Sequence, residues 1–460
     1  MGLTLKRSLA LVLGMALSVQ AALAVPDQSD KRLRNRGPQI IRDAEIEGLL
    51  RIYAGPIFKA AGINAKAAHV TVIGDPTINA FVANGQRIFV NSGLITRSDT
   101  PNEVIGVLAH ESGHIAGGHL AKMNSAMASA STESIIGALF GVAAILGGAM
   151  AGNGETTKAG AGIIMGSANT AQRSFLVYQR SMEATADESG MRYLEATHQS
   201  AKGMLTLFRM LANESLASAQ GADPYAYSHP MPFDRLRTLE ARATASPYFN
   251  QPDSPELILR HKLAQAKLIG FLQPEQVFQR YPSSDNSLPG RYARAIAFFR
   301  RGDLASALPL IDSLTAQMPQ DPYFWELKAQ AYLENGKPDQ GLPFIVRARS
   351  MLPNNGLLQI LHAQILLGSE NPAHADAAIT ILKAAKMNEP EEPGIYKFLA
   401  QAYGLKNQIP QAELATAEYA YATGDNKLAV EKATIAMRYL KQGSPEWLRA
   451  SDIENFASKK

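Results

Sequence analysis

Helical and alternating apolar patterns succeed one another along this chain. From Asp43 to Ala61 apolar residues fall at helical spacing: Ile46, Leu49, Leu50, Ile52 and Tyr53, then Ile57 and Phe58 beyond a break expected at Gly55-Pro56. Val70-Thr71-Val72-Ile73 has the composition of a strand. Ala80-Phe81-Val82-Ala83 and Arg87-Ile88-Phe89-Val90 flank Asn84-Gly85, so residues 79–91 are expected as a hairpin with a tight turn. Residues 102–122 and 188–245 read as helical, the second stretch interrupted at Ser228-His229-Pro230-Met231-Pro232 and resumed from Asp234 to Ala243. Pro252 and Pro255 mark a linker.

Beyond the linker the chain repeats. Pro319 and Pro353 are 34 residues apart, and Pro390 follows 37 later. Small residues recur in register as Ala295, Ala329 and Ala363, and again as Ala307, Gly341 and Ala378, the last allowing an insertion around Asn371. Ala348 and Ala385 form a third set, which Leu314 breaks; Trp325 and Tyr332 take aromatic positions. A fourth unit is expected near Tyr396, Ala400 and Tyr403, with the register shifting beyond Ala412. This resembles tetratricopeptide repeats, helix pairs that stack so that each covers its neighbour's apolar face. The expected fold class is mainly α with a small β-sheet. The divisions expected are residues 1–24, 25–250, a linker and helical connection over 251–289, and repeats over 290–460.

The chemistry centres on His110-Glu111-Ser112-Gly113-His114. On a helix the two imidazoles share one face, one turn apart, and can grip one zinc ion. Glu111, on the neighbouring flank, can reach a water held by the metal. Zinc lowers the pKa of such a water towards ~7, and a carboxylate beside it can pass the proton to a leaving amine. The spacing points to hydrolysis of a peptide bond. Arg180 to Asp187 reads as a helix with Glu183 and Asp187 on one face. Glu183 is the candidate third ligand, and Asp187 can accept the free N–H of a ligating imidazole. His119, five positions past His114, lies ~140° round a continuous helix and should not share the metal; it is expected at the surface or behind a ligand.

His229 sits in a loop stiffened by prolines. Three protein ligands leave zinc one position, and three readings stand. His229 fills that position and closes the site; it donates a hydrogen bond to the tetrahedral intermediate; or it has no role.

His-Glu-x-x-His followed by Arg180-x-x-Glu183-x-x-Ala186-Asp187 resembles the zinc metallopeptidases of the CAAX-prenyl-protease and HtpX type. The likeness extends to Asn79-Ala80-Phe81 and Gly93-Leu94-Ile95, a strand region of those enzymes. It implies a gluzincin-type metalloprotease domain, one zinc per chain and a closing role for His229. The hairpin also offers a free edge at Asn79, Ala80 and Phe81, to which an extended substrate pairs by backbone bonds. With an export signal and repeats, the resemblance implies an enzyme that degrades misfolded or stalled outer-membrane proteins and works near the β-barrel assembly machinery.

Composition narrows the alternatives. Lys6 and Arg7, the apolar stretch Leu9 to Val19 and Ala22-Leu23-Ala24 read as a cleavable secretory signal over residues 1–24, and with it the resemblance implies a periplasmic location. Its removal takes the formal charge from +4 to +2, and no basic–aromatic patch points to nucleic acid. The absence of cysteine excludes disulfides and thiolate metal sites. Residues 135–151 carry no charge, and a second apolar stretch runs from Ala159 to Ala171. The first, at the short limit of a span, reads as a buried hairpin, a lid or a peripheral membrane contact. A different class of function is an assembly factor or chaperone whose protease half is latent and whose repeats bind clients.

Overall fold

The computed structural model describes residues 39–64, 68–83, 85–129, 169–217, 229, 233–369 and 371–457. The signal stretch, the 135–151 run and most of the second apolar stretch lie outside the described residues. Strand β1 (Ile40–Ile41) leads into helix α1 (Ala44–Ala60), followed by β2 (His69–Ile73), β3 (Ala80–Ala83) and β4 (Arg87–Asn91). The sheet order is β1-β2-β4-β3. β4 pairs parallel with β2 and antiparallel with β3, which leaves β3 at one edge among the described strands.

Asp43 caps α1, its side chain accepting from the backbone N–H groups of Glu45 and Ile46. The expected break at Gly55-Pro56 is absent, for α1 runs straight through Pro56. The carbonyl that Pro56 cannot bond belongs to Ile52, which is exposed rather than on the buried face, so water can satisfy it. The hairpin also differs from expectation. Ala83 pairs with Arg87, leaving three residues in the loop instead of two, with Gly85 at φ 88°.

Helix α2 (Ser92–Arg97) precedes α3 (Pro101–Ala116), which carries the His-Glu-x-x-His motif. α3 begins on Pro101, and Glu103 folds back to accept the backbone N–H of Asp99. Residues 101–113 are all buried, so α3 is the central rod of the peptidase half, with β3 lying against it. α3 ends at Ala116, short of the expected 122, and α4 (His119–Ser129) starts after a Gly117-Gly118 turn. Helices α5 (Asn169–Ala196), α6 (Lys202–Ala217) and α7 (Phe233–Ala245) complete this half. Its core gathers Leu50, Tyr53, Ile57, Ile88, Val90, Leu108 and Phe208.

Pro255 starts α8 (Pro255–Leu272), a largely buried helix capped by Ser254. Ala264 and Leu268 of α8 join the peptidase core, while Phe271 meets Phe299 of the repeats edge to face. After the short α9 (Val277–Arg280) come five antiparallel pairs: α10 (Leu288–Arg300) with α11 (Leu304–Gln317), α12 (Pro322–Glu334) with α13 (Pro338–Met351), α14 (Gly356–Gly368) with α15 (Ala375–Asn388), α16 (Gly394–Leu405) with α17 (Ile409–Ala422), and α18 (Asn426–Tyr439) with α19 (Pro445–Ala457). Ala295, Ala329, Ala363, Ala307, Ala378, Ala348 and Ala385 are fully buried at these contacts, and Leu314 is buried alongside them. The insertion near Asn371 forms a 3-10 turn at Pro372–His374. In the fourth pair Ala402, not Ala400, is fully buried. The register therefore shifts before Ala412, at the loop 389–393.

That loop reaches back to the start of the peptidase half. Arg42 donates to Glu389 (2.5 Å) and Glu392 (2.9 Å), and Arg87 of β4 donates to Glu391 (2.7 Å). A second junction is buried. Lys267 of α8 lies 2.8 Å from Asp43, 3.4 Å from Glu45 and 3.2 Å from Glu326 of α12, and Tyr292 of α10 donates to Glu45 (2.7 Å). Burial pushes the Glu45 carboxyl up to about 8 and raises that of Glu326, against the pull of Lys267.

Both carboxyls thus bind protons more tightly folded than unfolded. Chain stability should fall as pH rises from the ordinary carboxyl range through about 8, as measured by thermal unfolding. Lys267→Met should cost about 3–5 kcal/mol above pH 8, where these buried carboxyls are ionised and lose their cation. The loss should shrink in acid, where those carboxyls carry protons.

Candidate metal centre

Close packing of α3 on α5 builds the site. A Cβ on Gly113 would stand 2.6 Å from the carbonyl oxygen of Ala186, and one on Gly190 would stand 3.1 Å from the backbone nitrogen of His110. The two helices therefore approach backbone to backbone, which carries Glu183 and Asp187 to the His110–His114 face.

His110 Nε2 lies 3.1 Å from His114 Nε2 and 3.3 Å from Glu183 Oε2. His114 Nε2 lies 3.4 Å from Glu183 Oε1. His229, buried, brings Nδ1 to 3.3 Å from His110 Nε2 and 3.0 Å from Glu183 Oε1. A tetrahedral ion with ligand bonds of ~2.0–2.1 Å has ligand–ligand edges of about 3.3–3.4 Å. The four groups match that size, and three imidazoles with one carboxylate form a donor set suited to zinc.

Each histidine of the α3 motif has its own support. His110 Nδ1 lies 3.0 Å from Asp187 Oδ1, and His114 Nδ1 lies 3.0 Å from His119 Nδ1. Of the two places expected for His119, the structure gives the one behind His114 rather than the surface: the side chain is buried. Glu111 is almost wholly buried, and neither of its carboxylate oxygens has a hydrogen-bond partner among the described residues. Its Oε1 lies 3.5 Å from His229 Nε2. Asn79, Ala80 and Phe81 do not join this cluster. Asn79 immediately precedes edge strand β3 and Ala80 and Phe81 begin it, with Phe81 stacked on Phe89.

Arg235 of α7 is the residue that sequence reasoning missed. Its Nη2 donates to Asp187 Oδ1 (2.8 Å), its Nε donates to Asp187 Oδ2, and its Nη1 lies 2.9 Å from Glu183 Oε2. The guanidinium also lies over the ring of Phe208, which meets His110 edge to face. Its one signal was position, six residues after His229 and at the start of a helix.

Burial pushes the Glu111 carboxyl up, against His229 and His110. Burial acts the same way on Glu183, but His229, His110 and His114 overcome it and hold that carboxyl far below the usual range. Arg235 and His110 likewise outweigh burial at Asp187 and lower it. Burial drops His114 to about 3. At His110 burial also disfavours the charge, but Asp187 and Glu183 prevail and lift it to about 9.

Residues 42–243 match the model of peptidase family M48. Metalloprotease YcaL of Escherichia coli (strain K12) is 30% identical over 191 residues, 40% of this chain and 67% of that protein. The chain belongs to peptidase family M48, and it is a metalloendopeptidase. It is also similar over almost its whole length to two proteins named β-barrel assembly-enhancing protease. The one from Yersinia pestis is 23% identical over 448 residues and the one from Escherichia coli (strain K12) 23% over 453, each match covering 95% of this chain and 88% of the relative.

Arg235→Gln should lower stability by about 3 kcal/mol in chelator, because two buried carboxylates lose their cation. With zinc present the loss should be smaller, since the ion supplies positive charge beside Glu183. Thermal unfolding of the variant with and without zinc measures the difference.

Proposed function

We propose that the chain is a zinc endopeptidase held closed at rest by His229. The observation that carries this reading is the fourfold cluster of His110, His114, Glu183 and His229, with neighbouring ligand atoms 3.0–3.4 Å apart. Zinc bound there would supply Lewis-acid polarisation of the scissile carbonyl and of the attacking water. Glu111 takes a proton from that water on a carboxylate oxygen and delivers it to the leaving amine. Its burial and its lack of hydrogen-bond partners among the described residues support that role, because the raised carboxyl pKa favours accepting the proton.

His229 spans the space a substrate carbonyl needs. Nδ1 faces the ligand cluster while Nε2 faces Glu111, so one ring blocks both the open coordination position and the base. Opening the loop would free the two together. An extended substrate would then pair with the edge of β3 from Asn79 to Phe81, in contact with α3.

The biological reading places the enzyme in the periplasm, exported by the 1–24 signal. Its clients would be misfolded or stalled outer-membrane proteins, and the helix pairs would bind those clients or the β-barrel assembly machinery. The names of the relatives matched along almost the whole chain support the link to β-barrel assembly. No helix among the described residues is long and apolar enough to cross a membrane.

Elemental analysis should find one zinc per chain, with proteolysis lost on chelation. Glu111→Gln should retain zinc but lose cleavage of an unfolded barrel protein; cleavage at the wild-type rate would reject the base assignment. His229→Ala should raise proteolysis if His229 closes the site. A fall would assign it to transition-state stabilisation instead, and an unchanged rate with unchanged zinc affinity would reject both roles.

A further inference from the structure

The Gly117-Gly118 turn between α3 and α4 returns the chain towards the ligand cluster, and each glycine serves a separate purpose. Gly118 has φ 62°, a left-handed conformation that glycine adopts without strain. Gly117 has ordinary helical angles, but a Cβ there would stand 2.3 Å from His119 Nε2, inside the imidazole ring's own space. The first allows the reversal and the second leaves room for the ring. Together they bring His119 Nδ1 to 3.0 Å from His114 Nδ1, with the two rings nearly perpendicular at 84°.

The zinc reading of the centre, on which this inference rests, fixes the direction of that contact. His114 presents Nε2 to the other ligand atoms, so its proton must reside on Nδ1. His119 Nδ1 must then accept, and its own proton lies on Nε2. We infer that His119 is the positioning residue of His114: it accepts the Nδ1–H, fixes the tautomer and holds the ring at the angle zinc requires. The centre is therefore built unevenly. His110 is supported by the Asp187 carboxylate, itself held by Arg235, whereas His114 is supported by an uncharged imidazole. A carboxylate raises the basicity of its ligand more than a neutral acceptor does. The His119 contact thus orients His114 without adding a further negative charge to a centre that already contains Glu111, Glu183 and Asp187.

Three variants of the full chain test this, with zinc affinity measured by competition with a chromophoric chelator and folding checked by thermal unfolding in chelator. His119→Ala should raise the zinc dissociation constant by about 10–100-fold, the usual effect of losing such a partner. His119→Asn places an amide oxygen near the position of Nδ1 and should recover most of that loss. Gly117→Ala keeps His119 but fills the space of its ring, and should weaken zinc as His119→Ala does. In the 15N-labelled, zinc-loaded wild type, a nitrogen–nitrogen coupling should appear across the His114–His119 hydrogen bond. A His119→Ala variant that holds zinc as tightly as wild type, or the absence of the coupling, overturns this inference alone. A folded wild-type chain that takes up no zinc overturns the metal reading and this inference with it.

Discussion

The contact between Gly113 and Ala186 governs the geometry of the centre. The motif on α3 supplies two imidazoles and a base, but only a backbone-to-backbone approach of α5 brings a carboxylate to them. A side chain at Gly113 would collide with a main-chain carbonyl, and a carbonyl inside a helix cannot turn aside. The helices would have to separate, carrying Glu183 and Asp187 away from His110 and His114. Gly113, itself no donor, thereby sets the distance at which Glu183 stands from His110 and His114.

Charge is the second constraint. Glu111, Glu183 and Asp187 are all buried within one cluster, a costly arrangement without cations. Arg235 answers part of that need from α7 by gripping both Asp187 and Glu183, and its guanidinium lies over the ring of Phe208. α7 begins four residues after His229 in sequence, and Arg235 fixes that helix to Asp187 and Glu183. On the proposed closing role of His229, displacing it while Arg235 stays in place would leave the support of His110 undisturbed.

The sequence disclosed those parts of the site that depend on spacing within one helix. His110 with His114, and Glu183 with Asp187, are i, i+4 pairs whose shared faces follow from helix geometry, and the structure brings both pairs together. His119 was harder, because the rotation argument took the helix as unbroken; Gly117-Gly118 was the cue that it ends. Arg235 had no such cue, for an arginine on an amphipathic helix is ordinary until its neighbours are known. In the fold, the buried alanines of the repeats were legible through their period. The continuity of α1 through Pro56 was not, since it depends on Ile52 facing water. The buried Lys267 junction was equally hidden, because it joins Asp43, Glu45, Tyr292 and Glu326 from distant parts of the chain.

The clasp between Arg42 and the 389–393 loop bears on the order in which the molecule is completed. Arg42 and Glu392 are 350 residues apart, and Arg87 and Glu391 are 304 apart. At synthesis rates of ~5–20 residues per second, Arg42 emerges roughly 20–70 s before its partner exists. Strand β1 and the start of α1 must spend that interval without the acids that later hold them. Closing so long a loop is entropically costly, and the packing of α8 on the peptidase core, with Phe271 against Phe299, shortens the loop that remains to be closed once those contacts exist. The clasp forms only once three helix pairs have been made, so a chain truncated within them would leave the front of its peptidase half unfastened.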